Sequence, residues 1–427
     1  MPSKKFLMIL FACAAISGLL TAGAWAGSPE KVLHIFDYLH GAEPFTGSLV
    51  FDSEGNLYGT ALYGANRSCS GGCGTVFQLV PSSSGKWTQK VLHDFGGGSD
   101  GFQPNGTLIF DSAGNLYGVT IYGGNNSCSN GCGTVYKLAP GVSGKWIKTV
   151  LHVFSGKDGA FPFDGLTFDG AGNLYGTTQQ GGKYQGCPQN GCGVVFKLTP
   201  GTQGKWTETV VHAFNGSDGS VPTGTLIFDK TGTLYGMTQQ GGNYNACPGY
   251  GCGLVFKLTP HTQGQWTETV LHAYRRNDGL GPFGTLALDK AGNLYGVTGL
   301  IGRRYGMVFK LARGPDGKWK QTVLHVFSNR PADYPTAGVT LDAAGNLYGM
   351  TSRGGLHDLG TVYKLTAGST GKWTFQVLHI FNGKDGVSPQ DALILDAMGN
   401  LYGTTSMGGN FRDCPSNGCG VVFKITP

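Results

Sequence analysis

The sequence predicts an all-β fold, a seven-bladed β-propeller built from four-stranded antiparallel blades. Three observations predict it: one short motif recurs seven times, each repeat contains four strand-like runs, and the chain starts with the strand that its last repeat lacks. The motif is Asp-x-x-Gly-Asn-Leu-Tyr-Gly, with Thr233 in place of the Asn in the fourth copy. Its spacing of 53 to 60 residues indicates one structural unit stacked seven times in a closed array.

Four strands can be read in each repeat, for example in residues 222–274. The runs are Thr-Leu-Ile-Phe, Leu-Tyr-Gly-Met-Thr, Leu-Val-Phe-Lys-Leu and Trp-Thr-Glu-Thr-Val-Leu-His. They are rich in β-branched and aromatic residues and are bounded by Gly, Pro or Asp, which is typical of short strands. The Asp-x-x-Gly link predicts a tight turn, because Asp accepts hydrogen bonds from turn amides and Gly tolerates positive φ. Such antiparallel units in tandem favour propeller blades.

The count of strands predicts how the ring closes. The Val-Phe-Lys-Leu strand occurs seven times, whereas the strand that begins with Trp occurs six times. Residues 31–36 match the end of the missing copy, so we expect the N-terminal strand to complete the last blade. The predicted boundaries are 1–26 for a signal peptide and 27–427 for a single propeller, with blades at about 45–95, 104–154, 162–214, 222–274, 282–327, 335–381, and 389–427 plus 31–36.

The N-terminus is typical of a secretory signal peptide. Two lysines precede the apolar residues 6–20, and Ala-Trp-Ala provides a cleavage site before Gly27. A lipoprotein anchored through Cys13 is the alternative, but the Phe two positions before it fits such a site poorly. We therefore expect a secreted protein, extracellular or periplasmic, with no membrane span in the mature chain.

Cysteine usage agrees with an oxidising compartment. The ten cysteines after residue 26 fall into five local pairs at one place in the repeat, and their even count predicts disulfides across a loop. Zinc is the alternative, yet a structural zinc site needs four ligands and each pair stands alone in its repeat. The pairs are Cys69 with Cys73, Cys128 with Cys132, Cys187 with Cys192, Cys247 with Cys252, and Cys414 with Cys419.

Residues that recur in every blade are expected to build the blade rather than to act on a substrate. The His of Val-Leu-His lies on the outer strand, where neighbouring copies cannot converge, so we expect structural hydrogen bonding. The Asp of each turn is expected to cap it, and the motif Tyr to pack in the core or between blades. The histidines are His34, His93, His152, His212, His272, His325 and His379.

A further Asp precedes Gly in five links between blades. Loops rich in Asp and Asn can bind calcium, but no Asp-x-Asp-x-Asp run is present, so we expect turns and no cofactor. These link residues are Asp100, Asp158, Asp218, Asp278 and Asp385.

Three recurring units carry a family resemblance. They are Asp-x-x-Gly-Asn-Leu-Tyr-Gly-x-Thr, Gly-x-Val-Phe-Lys-Leu and Val-Leu-His-x-Phe, and they resemble the tandem GloVer repeats of exported bacterial proteins, the choice-of-anchor family. The resemblance covers nearly the whole chain after residue 26. It implies a secreted or surface-displayed repeat protein, and it brings no catalytic residues with it. Members of that family often end in an anchoring segment, whereas this chain ends inside a blade, from which we expect release.

The candidate binding face carries the links between blades and the links from second to third strand. Its loops combine amides with aromatic rings, as in residues 179–184 and 239–244, which suits sugar recognition and is also ordinary loop composition. Blades five and six lack the cysteine loop, and most arginines fall near them. Guanidinium groups suit carboxylates and phosphates. We therefore expect a site for an anionic ligand, such as a uronate-containing polysaccharide, at Arg275, Arg276, Arg303, Arg304, Arg330, Arg353 and Arg412; the alternative is a solvated basic patch.

Three function classes remain open. The leading interpretation is a non-catalytic, monomeric binding module for an extracellular glycan or an exported protein. A polysaccharide lyase or hydrolase is the alternative, with His357 and Asp358 as candidate acid–base residues, although they match no catalytic motif. A structural envelope or matrix component is the third. The net charge of +6, two units of which come from the signal-peptide lysines, is too small and too dispersed to indicate nucleic acid.

Overall fold

The structure, a computed structural model, describes residues 29–66, 68–184, 186–187, 191–300, 306–328, 332–369 and 371–427. These residues form seven separate antiparallel sheets. Within each sheet the strands follow one another in chain order, except that the last sheet also takes in the N-terminal strand. The predicted seven-bladed propeller is therefore confirmed. The predicted signal peptide, residues 1–26, lies outside the described residues.

The strands are numbered in chain order. Blade one contains β2 (Val50–Phe51), β3 (Leu57–Ala61), β4 (Thr75–Pro81) and β5 (Trp87–Asp94). Blade two contains β6 (Phe102–Phe110), β7 (Leu116–Tyr122), β8 (Thr134–Pro140) and β9 (Trp146–Val153). Blade three contains β10 (Ala160–Pro162), β11 (Thr167–Phe168), β12 (Leu174–Gln180), β13 (Val194–Pro200) and β14 (Trp206–Ala213). Blade four contains β15 (Ser220–Phe228), β16 (Leu234–Gln240), β17 (Leu254–Pro260) and β18 (Trp266–Ala273).

The remaining blades follow the same order. Blade five contains β19 (Leu280–Leu288), β20 (Leu294–Leu300), β21 (Met307–Arg313) and β22 (Trp319–Val326). Blade six contains β23 (Ala332–Pro335), β24 (Thr340–Leu341), β25 (Leu347–Gly354), β26 (Thr361–Ala367) and β27 (Trp373–Ile380). Blade seven contains β28 (Ile394–Leu395), β29 (Leu401–Thr405), β30 (Val421–Ile425) and β1 (Glu30–Ile35). Short 3-10 turns span Gly98–Asp100, Val142–Gly144, Thr202–Gly204 and Thr262–Gly264.

The N-terminal strand closes the ring as predicted. β1 pairs antiparallel with β30, from Glu30 opposite Ile425 to Ile35 opposite Val421. The register shifts at Leu33, and the outer strands of the other six blades shift at the matching place. β1 therefore reproduces the bulged outer strand of the repeat, although it lacks the Trp.

The first strand of a blade takes three forms, which the sequence analysis did not foresee. In blades one and seven it is a single piece of two residues. In blades two, four and five it is continuous over nine residues. In blades three and six it is broken into two pieces, so these sheets contain five strands instead of the predicted four. The broken blades carry one more residue between the Pro and the following Gly, as Pro162 and Gly165 show beside Pro104 and Gly106. The extra residue interrupts the pairing with the second strand.

The core lies within and between the blades. The aromatic residue of each third strand is fully buried, and its ring lies against the last Gly of the motif. A Cβ atom at Gly59 would stand 2.7 Å from Phe77 Cζ, so this strand position requires glycine because of the close approach. Phe36, which directly follows β1, packs edge-on against Phe77, with ring centroids 5.1 Å apart. Such contacts join each outer strand to the next blade.

The motif aspartates cap their turns, as predicted. Asp111 Oδ1 accepts the backbone N–H groups of Ala113 and Asn115, each at 2.9 Å. Its Oδ2 accepts the Asn115 side chain at 2.7 Å and the Tyr117 hydroxyl at 3.0 Å. The motif Asn and Tyr therefore complete the turn, and the Tyr ring also packs against the next blade, where Tyr117 meets Phe168. Within the described residues, no helix is long and apolar enough to cross a membrane.

Candidate functional site

One position in each blade combines a strained backbone with a variable side chain. It is the residue before the Pro near the beginning of each blade, and its φ lies between 52° and 59° in all seven blades. This left-handed conformation is unfavourable for residues other than glycine, above all for a β-branched Val. The residues are Glu43, Gln103, Phe161, Val221, Gly281, Tyr334 and Ser388. We call them the left-handed ring.

The disulfide loops hold the left-handed ring in place. The backbone N–H of Glu43 donates to the carbonyl oxygen of Cys419, 2.9 Å away in the preceding blade. Gln103, Phe161, Val221 and Gly281 make the same bond to Cys73, Cys132, Cys192 and Cys252. In blade seven, Ser388 donates to Leu359 instead, because blade six has no cysteine loop.

All ten predicted cysteines form disulfides with the expected partners. The bonds are Cys69–Cys73, Cys128–Cys132, Cys187–Cys192, Cys247–Cys252 and Cys414–Cys419. The disulfide interpretation is thus confirmed over zinc. Such bonds are typical of proteins that mature in an oxidising compartment.

Two neighbouring cavities lie beside the left-handed ring. One, of about 300 Å³, is lined by Glu43, Phe45, Leu62, Tyr63, Gln103, Ile121, Tyr122, Phe161, Phe163, Gln179 and Gln180. The other, of about 380 Å³, is lined by Tyr38, Ala42, Glu43, Tyr63, Gly71 and residues 413–418. The two adjoin at Glu43 and Tyr63, and together they make a surface feature that spans blades seven, one, two and three. We call it the aromatic groove.

The aromatic groove presents rings and polar groups side by side. Tyr122 lies 5.3 Å from Phe102 in a stacked pair and 5.4 Å from Phe161 in an edge-on pair, measured between ring centroids. Burial, together with the nearby Glu43 carboxyl, raises the pKa of the Tyr63 hydroxyl. Burial also raises the pKa of the Glu43 carboxyl. The groove therefore offers hydroxyl, amide and carboxyl groups next to half-buried aromatic faces.

The groove residues come from the face that the sequence analysis favoured. Gln179 and Gln180, which it picked out, line the groove. Tyr63, Tyr122 and Phe161 were missed, because nothing in a single repeat distinguishes them from core aromatics. The sequence could have identified these positions, because their residue types differ between repeats while the adjoining Pro or Gly stays the same.

The arginines of the predicted anionic site are exposed where the structure describes them. These are Arg275, Arg276, Arg353 and Arg412; Arg303, Arg304 and Arg330 lie outside the described residues. The Arg353 guanidinium lies over the ring of Tyr334, 5.0 Å from its centroid. Arg353 thus stands beside the left-handed ring in blade six.

The candidate acid–base pair lies in the exposed loop after β25. His357 and Asp358 are both exposed. Asp358 Oδ1 accepts the backbone N–H of Gly354 at 2.8 Å, and Asp358 itself has a φ of 58°. The carboxylate therefore stabilises its own turn.

The recurring histidines and the link aspartates form one interaction, although the sequence analysis treated them separately. His93 Nε2 lies 3.1 Å from Asp100 Oδ2. The same pairing, at 3.1 to 3.6 Å, joins His152 to Asp158, His212 to Asp218, His272 to Asp278, and His379 to Asp385. The aspartates also accept backbone N–H groups of their own links, as Asp100 does from Gly96. Both positions therefore act structurally at the junction between blades.

A small polar cavity of about 30 Å³ lies where the inner segments of the blades meet. Asp164 and Asp391 both line it. Asp391 is only 3% exposed, and its Oδ2 accepts the Thr404 hydroxyl at 2.5 Å. Burial raises the pKa of each of the two carboxyls to about 7. These groups therefore bind protons close to neutral pH.

Comparison with known proteins gives a family but no activity. Among solved structures, a luciferin-regenerating enzyme is similar over 76% of this chain and 91% of its own, with 15% identity and a TM-score of 0.40. A putative oxidoreductase (glucose dehydrogenase) from Thermus thermophilus is similar over 94% of this chain and 100% of its own, with 16% identity and a TM-score of 0.45.

No curated protein matches the chain. The sequence model of the Gloeobacter/Verrucomicrobia repeat matches residues 20–248 and 247–427, which together cover nearly the whole chain. With its seven GloVer-type blades, the protein belongs to the Gloeobacter/Verrucomicrobia repeat family.

Proposed function

We propose that this protein is an exported, non-catalytic propeller that binds a neutral carbohydrate polymer in the aromatic groove. The observation that carries the proposal is the alternation of half-buried rings with amides, as Tyr63, Gln103 and Tyr122 show. The flat faces of sugar rings stack on aromatic side chains, and sugar hydroxyls need both donors and acceptors. Tyr supplies a ring face and a hydroxyl, and Gln supplies an amide that both donates and accepts hydrogen bonds.

The shape of the groove supports an extended ligand. Its two cavities, of about 380 and 300 Å³, have the size of small-molecule subsites and are joined at Tyr63. A polymer of several sugar units would occupy both, with one unit near Tyr38 and another near Tyr122. Each unit contributes separately to affinity, so longer oligosaccharides should bind more tightly.

The charges of the groove support a neutral ligand. The charged residues among its described lining are two acids, Glu43 and Asp413. Negative charge on these two acids would repel a uronate. A neutral glycan accepts hydrogen bonds from the amides and donates its hydroxyl protons to the carboxyls.

A second candidate function is the binding of an anionic glycan at the arginines of blades five to seven. The observation that favours it is the exposure of Arg275, Arg276 and Arg412, together with the position of Arg353 beside the left-handed ring. The enzyme alternative rests on His357 and Asp358, and the matrix alternative on the fold itself. Both stay predictions to be separated by experiment.

Affinity electrophoresis and calorimetry would test the proposal. We expect retention by neutral polysaccharides, and about fivefold weaker binding for Tyr63→Ala and Tyr122→Ala, because a stacked ring contributes about 1 kcal/mol. Tyr250→Ala is the matched control, since Tyr250 is 57% exposed in the cysteine loop of blade four, away from the groove. Equal binding by all three variants would refute the groove.

The same assay separates the other functions. Retention by acidic polymers alone, lost on replacing Arg275 and Arg276 by Ala, would favour the anionic site. New reducing ends or unsaturated products would indicate an enzyme. Absence of saturable binding to any glycan would favour a matrix role.

A further inference from the structure

The junctions between neighbouring blades share a third residue besides the His and the Asp. It lies on the outer strand of the following blade, four positions before that blade's own His. Its chemistry differs from junction to junction, and the residues are Gln89, Lys148, Glu208, Glu268, Gln321, Phe375 and Glu30. Gln321 shows the contact that a neutral residue makes there, since its side-chain amide donates to the backbone oxygen of Asp278 at 2.8 Å.

In the junction between blades one and two, the third place holds a buried cation. Lys148 Nζ lies 2.7 Å from Asp100 Oδ1 and also donates to the Asp100 backbone oxygen. The Lys148 side chain is only 5% exposed. His93 contacts the other carboxylate oxygen. The His–Asp pair therefore leaves space for a positively charged group beside it, and the Asp carboxylate attracts such a group.

Three other junctions place a glutamate where Lys148 stands. They involve Glu30, Glu208 and Glu268, and each of them has a buried Oε1 without a hydrogen-bond partner among the described residues. Burial raises the pKa of the Glu208 and Glu268 carboxyls to about 7. Two carboxylates side by side repel each other unless a cation or a proton lies between them.

The junction that closes the ring has the geometry of a metal site. His379 offers a nitrogen, and Asp385 and Glu30 each offer a carboxylate oxygen; all three atoms lie within 4.8 Å of one another. His379 Nε2 and Asp385 Oδ2 are 3.1 Å apart, and their side chains are 14% and 9% exposed. Ligand atoms on a tetrahedral Zn²⁺ lie roughly 3.4 Å apart, so only a small movement of Glu30 is needed.

A second layer of hydrogen bonds holds the carboxylate in place. Asn382 donates its backbone N–H to Asp385 Oδ1 at 2.8 Å and its side-chain amide to Oδ2 at 2.7 Å. Such outer partners orient the ligands of metal sites. One imidazole and two carboxylates suit Zn²⁺ and similar transition metals better than Ca²⁺ or Mg²⁺, which prefer oxygen ligands only.

We propose that Glu30, His379 and Asp385 bind a divalent transition-metal ion, with Zn²⁺ as the best match. Glu30 belongs to β1 of blade seven, whereas His379 lies on the outer strand of blade six and Asp385 follows that strand. The ion therefore ties the N-terminal strand to the neighbouring blade. It takes at this junction the place that the Lys148 ammonium takes between blades one and two, and it is separate from the aromatic groove.

Titration calorimetry on the untagged, chelator-treated protein tests the site, with Zn²⁺ as the probe and Mg²⁺ as the comparison. We expect one Zn²⁺ per chain, a rise in melting temperature on its addition, and no comparable effect of Mg²⁺. Glu30→Gln, which keeps the size of the side chain, should weaken Zn²⁺ binding at least tenfold. Among the described residues, the Glu208 junction does not bring its three candidate ligand atoms within 4.8 Å of one another. Glu208→Gln changes the matching residue there and should therefore leave binding unchanged.

Circular dichroism would establish that each variant is folded, and His379→Gln provides a second ligand variant if Glu30→Gln is not. Absence of saturable Zn²⁺ binding by the wild type would overturn the proposal. So would equal Zn²⁺ affinities of the wild type and a folded ligand variant. A higher melting temperature of Glu30→Gln with no response of the wild type to Zn²⁺ would show that a proton, not a metal, joins the two carboxyls.

Discussion

The backbone N–H of Gln103 donates to the carbonyl oxygen of Cys73, and the two atoms lie 2.8 Å apart. Cys73 closes the disulfide loop of blade one, whereas Gln103 is the left-handed residue of blade two and lines the aromatic groove. The disulfide loop of one blade therefore fixes the backbone of Gln103 in the next blade, and with it the direction of the Gln103 side chain. This relationship allows stability and ligand binding to be separated by mutation.

Replacing Cys69 and Cys73 by Ala should weaken glycan binding as well as stability. A disulfide that closes so short a loop contributes about 2 kcal/mol to the free energy of unfolding. Its loss also frees the backbone that holds Gln103 in its strained conformation, so we expect several-fold weaker binding. Urea unfolding and calorimetry measure the two effects.

The matched control is the replacement of Cys247 and Cys252 by Ala in blade four. The carbonyl oxygen of Cys252 accepts the backbone N–H of Gly281, and Gly281 has no side chain that could contact a ligand. This variant should lose a similar free energy of unfolding and bind glycan like the wild type. Equal losses of binding in both double variants would show that the disulfides act on the whole propeller and not on single groove residues.

Lys148→Met should destabilise the junction between blades one and two. The substitution keeps the length of the side chain but removes the ammonium that meets Asp100. We expect a loss of about 2 kcal/mol in the free energy of unfolding, the usual size for a buried hydrogen bond to a charged group. Lys320→Met, at an exposed position of β22, is the control and should change stability little. Urea unfolding at neutral pH compares the two.

Asp111→Ala should destabilise blade two through its first turn. Burial alone would raise the pKa of the Asp111 carboxyl, but hydrogen bonds from Asn115, Tyr117 and Ala113 outweigh it and lower that pKa. The stabilisation is therefore present above about pH 4 and is lost as the pH falls through the folded pKa. We expect Asp111→Ala to lose about 2 kcal/mol of the free energy of unfolding at neutral pH and less in acid.

The repeat itself supplies a control for this turn. Asn115→Thr copies Thr233 of blade four, where the turn forms without the side-chain amide. Asn115→Thr should lower the free energy of unfolding by less than about 1 kcal/mol. Equal losses in Asp111→Ala and Asn115→Thr would contradict the leading role of the carboxylate.

The fold was predictable because its signals are local and occur seven times. Each Asp-x-x-Gly turn specifies its hairpin through bonds within six residues, as Asp111 and Tyr117 show. The closing strand could be predicted because the last repeat lacks an outer strand of its own. The observed strand, Glu30–Ile35, lies within one residue of the predicted 31–36. The disulfide pairs were readable because both partners lie in one loop.

The aromatic groove was not predictable because it forms between repeats. Tyr63 and Phe161 are almost 100 positions apart, and their approach depends on the angles between three blades. The left-handed conformation at Phe161 is set by a bond to another blade rather than by the residue itself. The pairing of His with the link Asp was missed for a similar reason, since the two recurring positions were interpreted one at a time. The arginine site remains a prediction.

Asp391→Asn should remove a pH dependence that originates at the polar cavity. Burial raises the pKa of the Asp391 carboxyl from its ordinary 3.8 to about 7. A raised carboxyl pKa stabilises the fold fully below about pH 4, and this contribution is lost as the pH rises towards 7. The variant cannot ionise at this position, so its stability relative to the wild type should improve by about 4 kcal/mol between pH 4 and pH 8.

Urea unfolding at several pH values would measure this difference. Asp164 lines the same cavity and also has a raised pKa, so its carboxyl contributes to the slope that remains in Asp391→Asn. The double variant with Asp164→Asn should therefore have the flattest profile of the three proteins between about pH 4 and pH 8. Asp413→Asn, at an exposed position, is the control and should parallel the wild type. Parallel profiles for Asp391→Asn and the wild type would mean that this carboxyl ionises at its ordinary pKa, in contact with water or with a cation.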